Sequence, residues 1–219
     1  MKYSKHLRGC WQKSFLAIGF LLLLGACHFG EAAQKAPTVR IALRSEPDRL
    51  NLLLARSTYA QEVGSQLFQS LLVFDPTDLS LKPLLAQSRP QITKLEEGPW
   101  KGGLRYDFEI RPEALWDNGE PILASDVLFT LKLIFNPALP IAHYRAFLDF
   151  IGDLKVDPNN LRRFSVYTKS AYILAEAAIG ILPIYPAYHY DPEQLLQDYS
   201  LADLLREKNP EKLLIQAPR

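Results

Sequence analysis

The sequence predicts a mixed fold of strands and helices. Three observations point there. Short stretches alternate apolar and polar residues, other stretches repeat apolar residues at helical spacing, and prolines stand at the borders between them. The pattern leaves α/β and α+β both open. With 48% hydrophobic and 22% charged residues in a chain of 219, a packed core is expected and wholesale disorder is not. Residues 1–26 hold Lys2, Lys5, Arg8 and Lys13 and no acid, leaving 21 basic against 24 acidic side chains in the remainder. That mildly acidic body argues against a nucleic-acid partner, which calls for a basic patch. Cys10 and Cys27 cannot build a disulfide framework, and neither has ligand partners at zinc-site spacing.

The first thirty residues read as an address. Four basic residues precede an apolar run from Phe15 to Leu24, and small residues lead to Cys27, the three-part layout of a secretory signal. The run is about half the ~20 residues of a spanning helix. Leu24-Gly25-Ala26-Cys27 resembles a bacterial lipobox, which implies a signal over 1–26, cleavage, and a lipid on Cys27. An ordinary signal peptide with a chance cysteine is the plainer alternative. Residues 28–37 are small and polar and suit a tether.

Along the body, Thr38 to Leu43 alternates as a strand, and Ser45-Glu46-Pro47-Asp48 breaks it. Ser57 to Ser70 carries Tyr59, Val63, Leu67 and Phe68 at helical spacing, with Ser57 or Thr58 as the N-cap. Leu71 to Phe74 is a short apolar run ending at the Asp75-Pro76 turn. Glu97 to Gly103 reads as a hairpin-like connection, and Leu104 to Ile110 as a strand. Asn118-Gly119 supplies the positive φ of a turn. Ser125 to Asn136 reads as a helix with Val127, Leu128, Leu131 and Ile134 on one face, stopped by Pro137. Arg163 to Lys169 is a further strand, Ala171 to Ile181 an apolar helix, and Pro192 to Lys208 a short amphipathic helix.

The chemistry of catalysis is absent from the pattern. Four histidines occur, and there is no HExxH, GxSxG or phosphate-cradling loop. No nucleophile stands beside a base, no metal site is indicated and no cofactor is implied, so an enzyme is not expected. Tyr185, Tyr188 and Tyr190 around His189 either line a ligand pocket or pack at the surface with wet hydroxyls.

One stretch is specific. Tyr106-Asp107-Phe108-Glu109-Ile110-Arg111, then Trp116-Asp117-Asn118-Gly119-Glu120-Pro121, then Ala124-Ser125-Asp126-Val127-Leu128-Phe129-Thr130 resembles the signature of the family 5 extracellular solute-binding proteins. These are the oligopeptide-, dipeptide- and nickel-binding components of ABC importers. Glu46-Pro47-Asp48-Arg49-Leu50-Asn51 and Leu67 to Ser88 agree with earlier parts of the same pattern, so the likeness covers about residues 38–190. The family's capping threonine is replaced here by Leu123, and Ser125 or Asp126 is expected to take over with the helix start displaced.

The resemblance implies a periplasmic-binding-protein type of fold, in the class with an extra subdomain. It assigns residues 38–55 and 155–219 to the first lobe and 56–154 to the accessory subdomain. Members run to more than twice this length, so the chain is expected to be an N-terminal part lacking the second lobe. The implied function is a lipid-anchored, periplasmic substrate-binding component of the peptide type, whole or shortened. Its implied partners are a peptide or other small solute, ABC permease subunits, and the membrane through acylated Cys27. The alternative is a reduced lipoprotein that keeps part of the fold as an interaction module without transport. By position in the family pattern, Arg56, Ser57, Thr58 and Tyr59 form one expected solute contact and His143, Tyr144 and Arg145 a second.

Overall fold

The computed structural model describes residues 38–207. The signal, the tether and Cys27 lie outside the described residues, as does the chain beyond residue 207. The chain divides into two units after Ala42. Of the first unit, residues 38–42 are described; they are exposed and carry no regular structure. The strand expected over Thr38 to Leu43 is therefore not formed. An alternating stretch becomes a strand only when a neighbouring strand takes up its N–H and C=O groups, and its apolar members Val39 and Ile41 lie open at 83% and 65% exposure.

The second unit opens with α1 (Thr58–Leu67), followed by the two-stranded antiparallel pair β1 (Leu72–Phe74) and β2 (Leu81–Pro83). A four-stranded sheet comes next, ordered β3 (Gln91–Lys94), β4 (Leu104–Glu109), β6 (Asn160–Thr168), β5 (Ile151–Asp157), with every pairing antiparallel. Between β4 and β5 run α2 (Ala124–Phe135) and α3 (Ala142–Phe147). After β6 come α4 (Ala175–Gly180), α5 (Ala187–Tyr190) and α6 (Leu201–Arg206).

The sheet has one apolar face. Tyr106 and Phe108 of β4, Phe164 and Val166 of β6, and Ile151 and Leu154 of β5 are buried, and Phe108 stacks on Phe164 across the strands with ring centres 5.5 Å apart. α2 covers that face and is apolar almost all round, with Val127, Phe129, Leu131, Leu133, Ile134 and Phe135 buried, because α6 packs against it as well. Lys132, also buried, sends Nζ to the carbonyls of Leu196 and Gln197 at 2.8 and 2.9 Å and so ties the C-terminal stretch to α2. Burial pulls the Lys132 amine below its ordinary value, against the pull of Asp198 and Asp191.

One further expectation is corrected. The helix expected over Pro192 to Lys208 is confined to α6, capped by Ser200. Asp191 takes the N–H groups of Leu195 and Leu196 at 2.8 and 2.9 Å, and Gln194 adopts φ +57°, so the chain turns where a helix would start. Residues 154 and 155 are consecutive in β5, and β4 pairs with β6. The sheet thus joins stretches that the sequence reading places in separate regions.

Candidate functional site

The first expected contact, residues 56–59, sits at the start of α1 and is held by a residue from outside that group. Asp48 accepts the backbone N–H of Arg56 at 3.0 Å and that of Ser57 at 3.2 Å. Its own N–H donates to Ser57 Oγ at 3.3 Å, and Ser57 Oγ also accepts from Ala60 N at 3.1 Å as the N-cap of α1. The N–H of Arg56, followed by the Ser57 side chain, holds the Asp48 carboxyl down at about 2. The loop between the clasped ends is anchored by Leu52, which lies over Gly64 so closely that a Cβ there would collide with it. In the same loop, Asn51 Oδ1 is buried without a hydrogen-bond partner. Arg56 and Thr58 are exposed and Tyr59 is half-buried, so the first two side chains are presented outward from a fixed main chain.

The second expected contact lies on α3 and divides by role. His143 is exposed, with its ring 4.5 Å from that of Tyr144, which packs against the core. Arg145 turns inward, and its Nη1 donates to the carbonyls of Asn136 and Leu139 at 3.0 Å each, closing the turn after α2.

The signature stretch is built as a hub. Trp116 to Glu120 forms a turn closed by Trp116 N to Glu120 O at 2.8 Å, with Gly119 at φ +84°. Asp126, buried in the first turn of α2, reaches back with Oδ2 to Leu123 N at 2.9 Å and to Trp116 Nε1 at 3.3 Å. Asp126 thus supplies the half of a capping box that takes the N-cap N–H, Leu123 makes no side-chain cap bond of its own, and the helix begins at Ala124, without the displaced start expected from the sequence. Burial pushes the Asp126 carboxyl up, while the N–H groups of Leu123, Trp116 and Ala187 pull it down. Thr130, one turn along α2, accepts from Tyr185 N at 3.0 Å. These bonds set the stretch 185–190 beside the signature turn.

That stretch splits its aromatics between core and surface. Tyr185 and Tyr190 are buried with Phe68, at centroid distances of 5.0 and 6.4 Å from it. Tyr188 and His189 face outward and, with Trp116, Asp117, Phe68, Leu67 and neighbours, line a groove of about 470 Å³. A second hollow, of about 670 Å³, lies on the polar face of the four-stranded sheet. Two of its acids are paired within the sheet: Glu109 with Arg163 at 2.9 Å and Asp107 with Arg105 at 3.0 Å, and Ser165 donates to Asp107 at 2.6 Å. Beside it Arg89 grips Glu176 at 2.6 and 2.7 Å. No helix among the described residues is long and apolar enough to cross a membrane.

No protein-family model matches the chain. Three curated proteins are similar in sequence. Protein XP55 of Streptomyces lividans is 30% identical over 159 residues, 73% of this chain and 27% of that protein. The peptidoglycan-binding protein YepA of Agrobacterium fabrum is 28% identical over 145 residues, 65% of this chain and 22% of that protein. The oligopeptide-binding protein OppA of Bacillus subtilis is 27% identical over 139 residues, 58% of this chain and 23% of that protein. The chain thus spans about a quarter of the length of the curated relatives it matches. Among solved structures, the oligopeptide-binding protein of Thermus thermophilus complexed with a pentapeptide superposes with a TM-score of 0.53 at 22% identity, over 70% of this chain and 27% of that one. The ABC transporter substrate-binding protein CtaP of Listeria monocytogenes gives 0.51 at 20% identity, over 68% and 28%. Four of these five relatives are named as binding proteins. The likeness read from the signature stretch is therefore shown: over about 70% of its length the chain shares the periplasmic-binding-protein type of fold with the oligopeptide-binding, family 5 proteins of ABC importers.

Proposed function

We propose that the chain acts in solute capture outside the cytoplasm for an ABC importer of the peptide type. On this reading Cys27 carries the lipid that holds it at the membrane, and permease subunits receive the solute. The observation that carries the reading is the shared fold with a protein solved around a pentapeptide, joined to a sequence relative named for oligopeptide binding. The geometry refines the expected contacts. Asp48 already occupies the N–H groups of Arg56 and Ser57, so a peptide meets this segment through the Arg56 guanidinium, the Thr58 hydroxyl and the Tyr59 ring. On α3, His143 is the presented group, while Arg145 ties the helix to the carbonyls of Asn136 and Leu139.

The test is recovery of the native ligand. The full chain is purified from its own envelope, denatured, and the released small molecules are read by mass spectrometry. Short peptides in stoichiometric amounts are the expected result. A spectrum free of peptides, with the protein folded before denaturation, contradicts the reading and favours the reduced lipoprotein. In the same preparation the intact mass reports on Cys27, where added diacyl or triacyl mass is expected.

A further inference from the structure

We propose that the groove beside Trp116 is a binding site for an organic cation, a guanidinium or alkylammonium group, distinct from the solute contacts at residues 56–59 and 143–145. Its walls are aromatic. Trp116 and Tyr188 stand edge to face with ring centres 6.3 Å apart, and His189 follows Tyr188 at 6.5 Å and 70°. Tyr188 is 43% exposed and Leu67 63%, so rings and apolar surface face an open hollow instead of a packed neighbour. The volume of about 470 Å³ lies within the range of small-ligand pockets.

The charge around the groove is of one sign. Asp117 lines it and accepts the Tyr188 hydroxyl at 2.9 Å through Oδ1, and a carboxylate has acceptor capacity for further donors. Partial burial, then the bond to Asp117, then the charges of Asp117, Glu120 and Asp126 all hold the proton on the Tyr188 hydroxyl. Neither Lys nor Arg lines the groove. This contrasts with the hollow on the sheet, where Asp107 and Glu109 already have basic or hydroxyl partners.

Cations are drawn to the faces of Trp and Tyr, and the attraction strengthens as the site excludes water. The Asp117 carboxylate at the groove disfavours anions and favours a charged guest over a neutral apolar one. The site is also prearranged. Trp116 is fixed through Nε1 by Asp126, and Tyr188 stands on α5, just after Tyr185, whose N–H is bonded to Thr130. The same chemistry is offered by a free small amine and by an arginine or lysine side chain of a peptide.

The test uses the full chain and the indole N–H resonance of Trp116, assigned by its loss in Trp116→Phe. Butylguanidinium is expected to move it in a saturable titration, and the neutral isostere butylurea to bind about tenfold more weakly. Asp117→Asn and Tyr188→Leu, both at exposed positions, are each expected to weaken butylguanidinium by about fivefold with the melting midpoint little changed. A blocked arginine tripeptide separates the sources. Competition with butylguanidinium at Trp116 assigns the site to a peptide side chain, and its failure to compete assigns the site to free cations. An unmoved resonance, equal affinity for butylurea, or titrations unaltered in both variants would overturn the proposal. None of these outcomes bears on recovery of peptides from the native protein, so the two proposals fail separately.

Discussion

Asp48 and Ser57 hold each other in both directions: the N–H of Asp48 donates to Ser57 Oγ at 3.3 Å, and the N–H of Ser57 donates to Asp48 Oδ1 at 3.2 Å. The two residues close a loop of the main chain onto the start of α1, and Arg56 adds a third bond to the same carboxylate. Because Ser57 Oγ also caps the helix, loop and helix are fixed by one group. Replacing Ser57 by Ala is expected to cost about 1 kcal/mol of stability. Chemical denaturation checks it, with the midpoint falling and the slope unchanged.

The two strongly placed acids predict opposite pH dependence. The folded state lowers the Asp48 pKa to about 2, from 3.8. Its stabilising contribution is present above pH 3.8 and is lost as pH falls through about 2. The gap in melting midpoint between wild type and Asp48→Asn should therefore narrow across that interval.

Asp126 is raised by burial, so its contribution is full below the ordinary carboxylate value and is lost as pH rises through its folded value. Relative to Asp126→Asn, the wild type should gain on acidification. Melting curves of the three proteins over acid to neutral pH decide both signs.

Lys132 supplies two hydrogen bonds from one buried ammonium to the carbonyls of Leu196 and Gln197. Lys132→Met keeps the stem and leaves both carbonyls without that donor, an expected loss of about 2–4 kcal/mol. Hydrogen exchange should show the loss first in α6, which leans on the same stretch.

Two glycines separate conformational from steric need. A Cβ on Gly103 would fall on the Thr168 carbonyl oxygen, which belongs to the main chain and cannot turn aside. Gly103→Ala is expected to cost about 3 kcal/mol by pushing β4 from β6. Gly119, at φ +84° in open space, should cost only about 1 kcal/mol as Ala. Equal losses at the two positions in denaturant titrations would contradict this division.

The elements legible in the sequence are those whose burial is one-sided. Leu104 to Ile110 alternates because β4 lies mid-sheet with one face covered, and Ser57 announces α1 because a serine hydroxyl there has a free backbone donor to meet. β5 is hidden because register shifts between Ile151 and Asp153 and at Val156 break its period of two. β3 is hidden because all four of its residues are exposed, at the sheet's edge, so no apolar alternation marks it. At the candidate site, residues 56–59 are legible by position in the family pattern, but the clasp is not. Asp48 stands in a stretch that reads as a strand break and as an early part of the family pattern, and its partners are backbone groups eight and nine residues away. Arg145 is one of the expected solute contacts, and the bonds from its Nη1 to the carbonyls of Asn136 and Leu139 could not be read from the sequence.

The most direct measurement of the central claim is calorimetric titration of the full chain with a defined mixture of short peptides, followed by the same titration on Tyr59→Ala and His143→Ala. Saturable heat that weakens in both variants, with their melting midpoints held, is the predicted result. A wild type that releases no heat of binding, while its melting curve shows it folded, would contradict the reading of this chain as a peptide-capturing component.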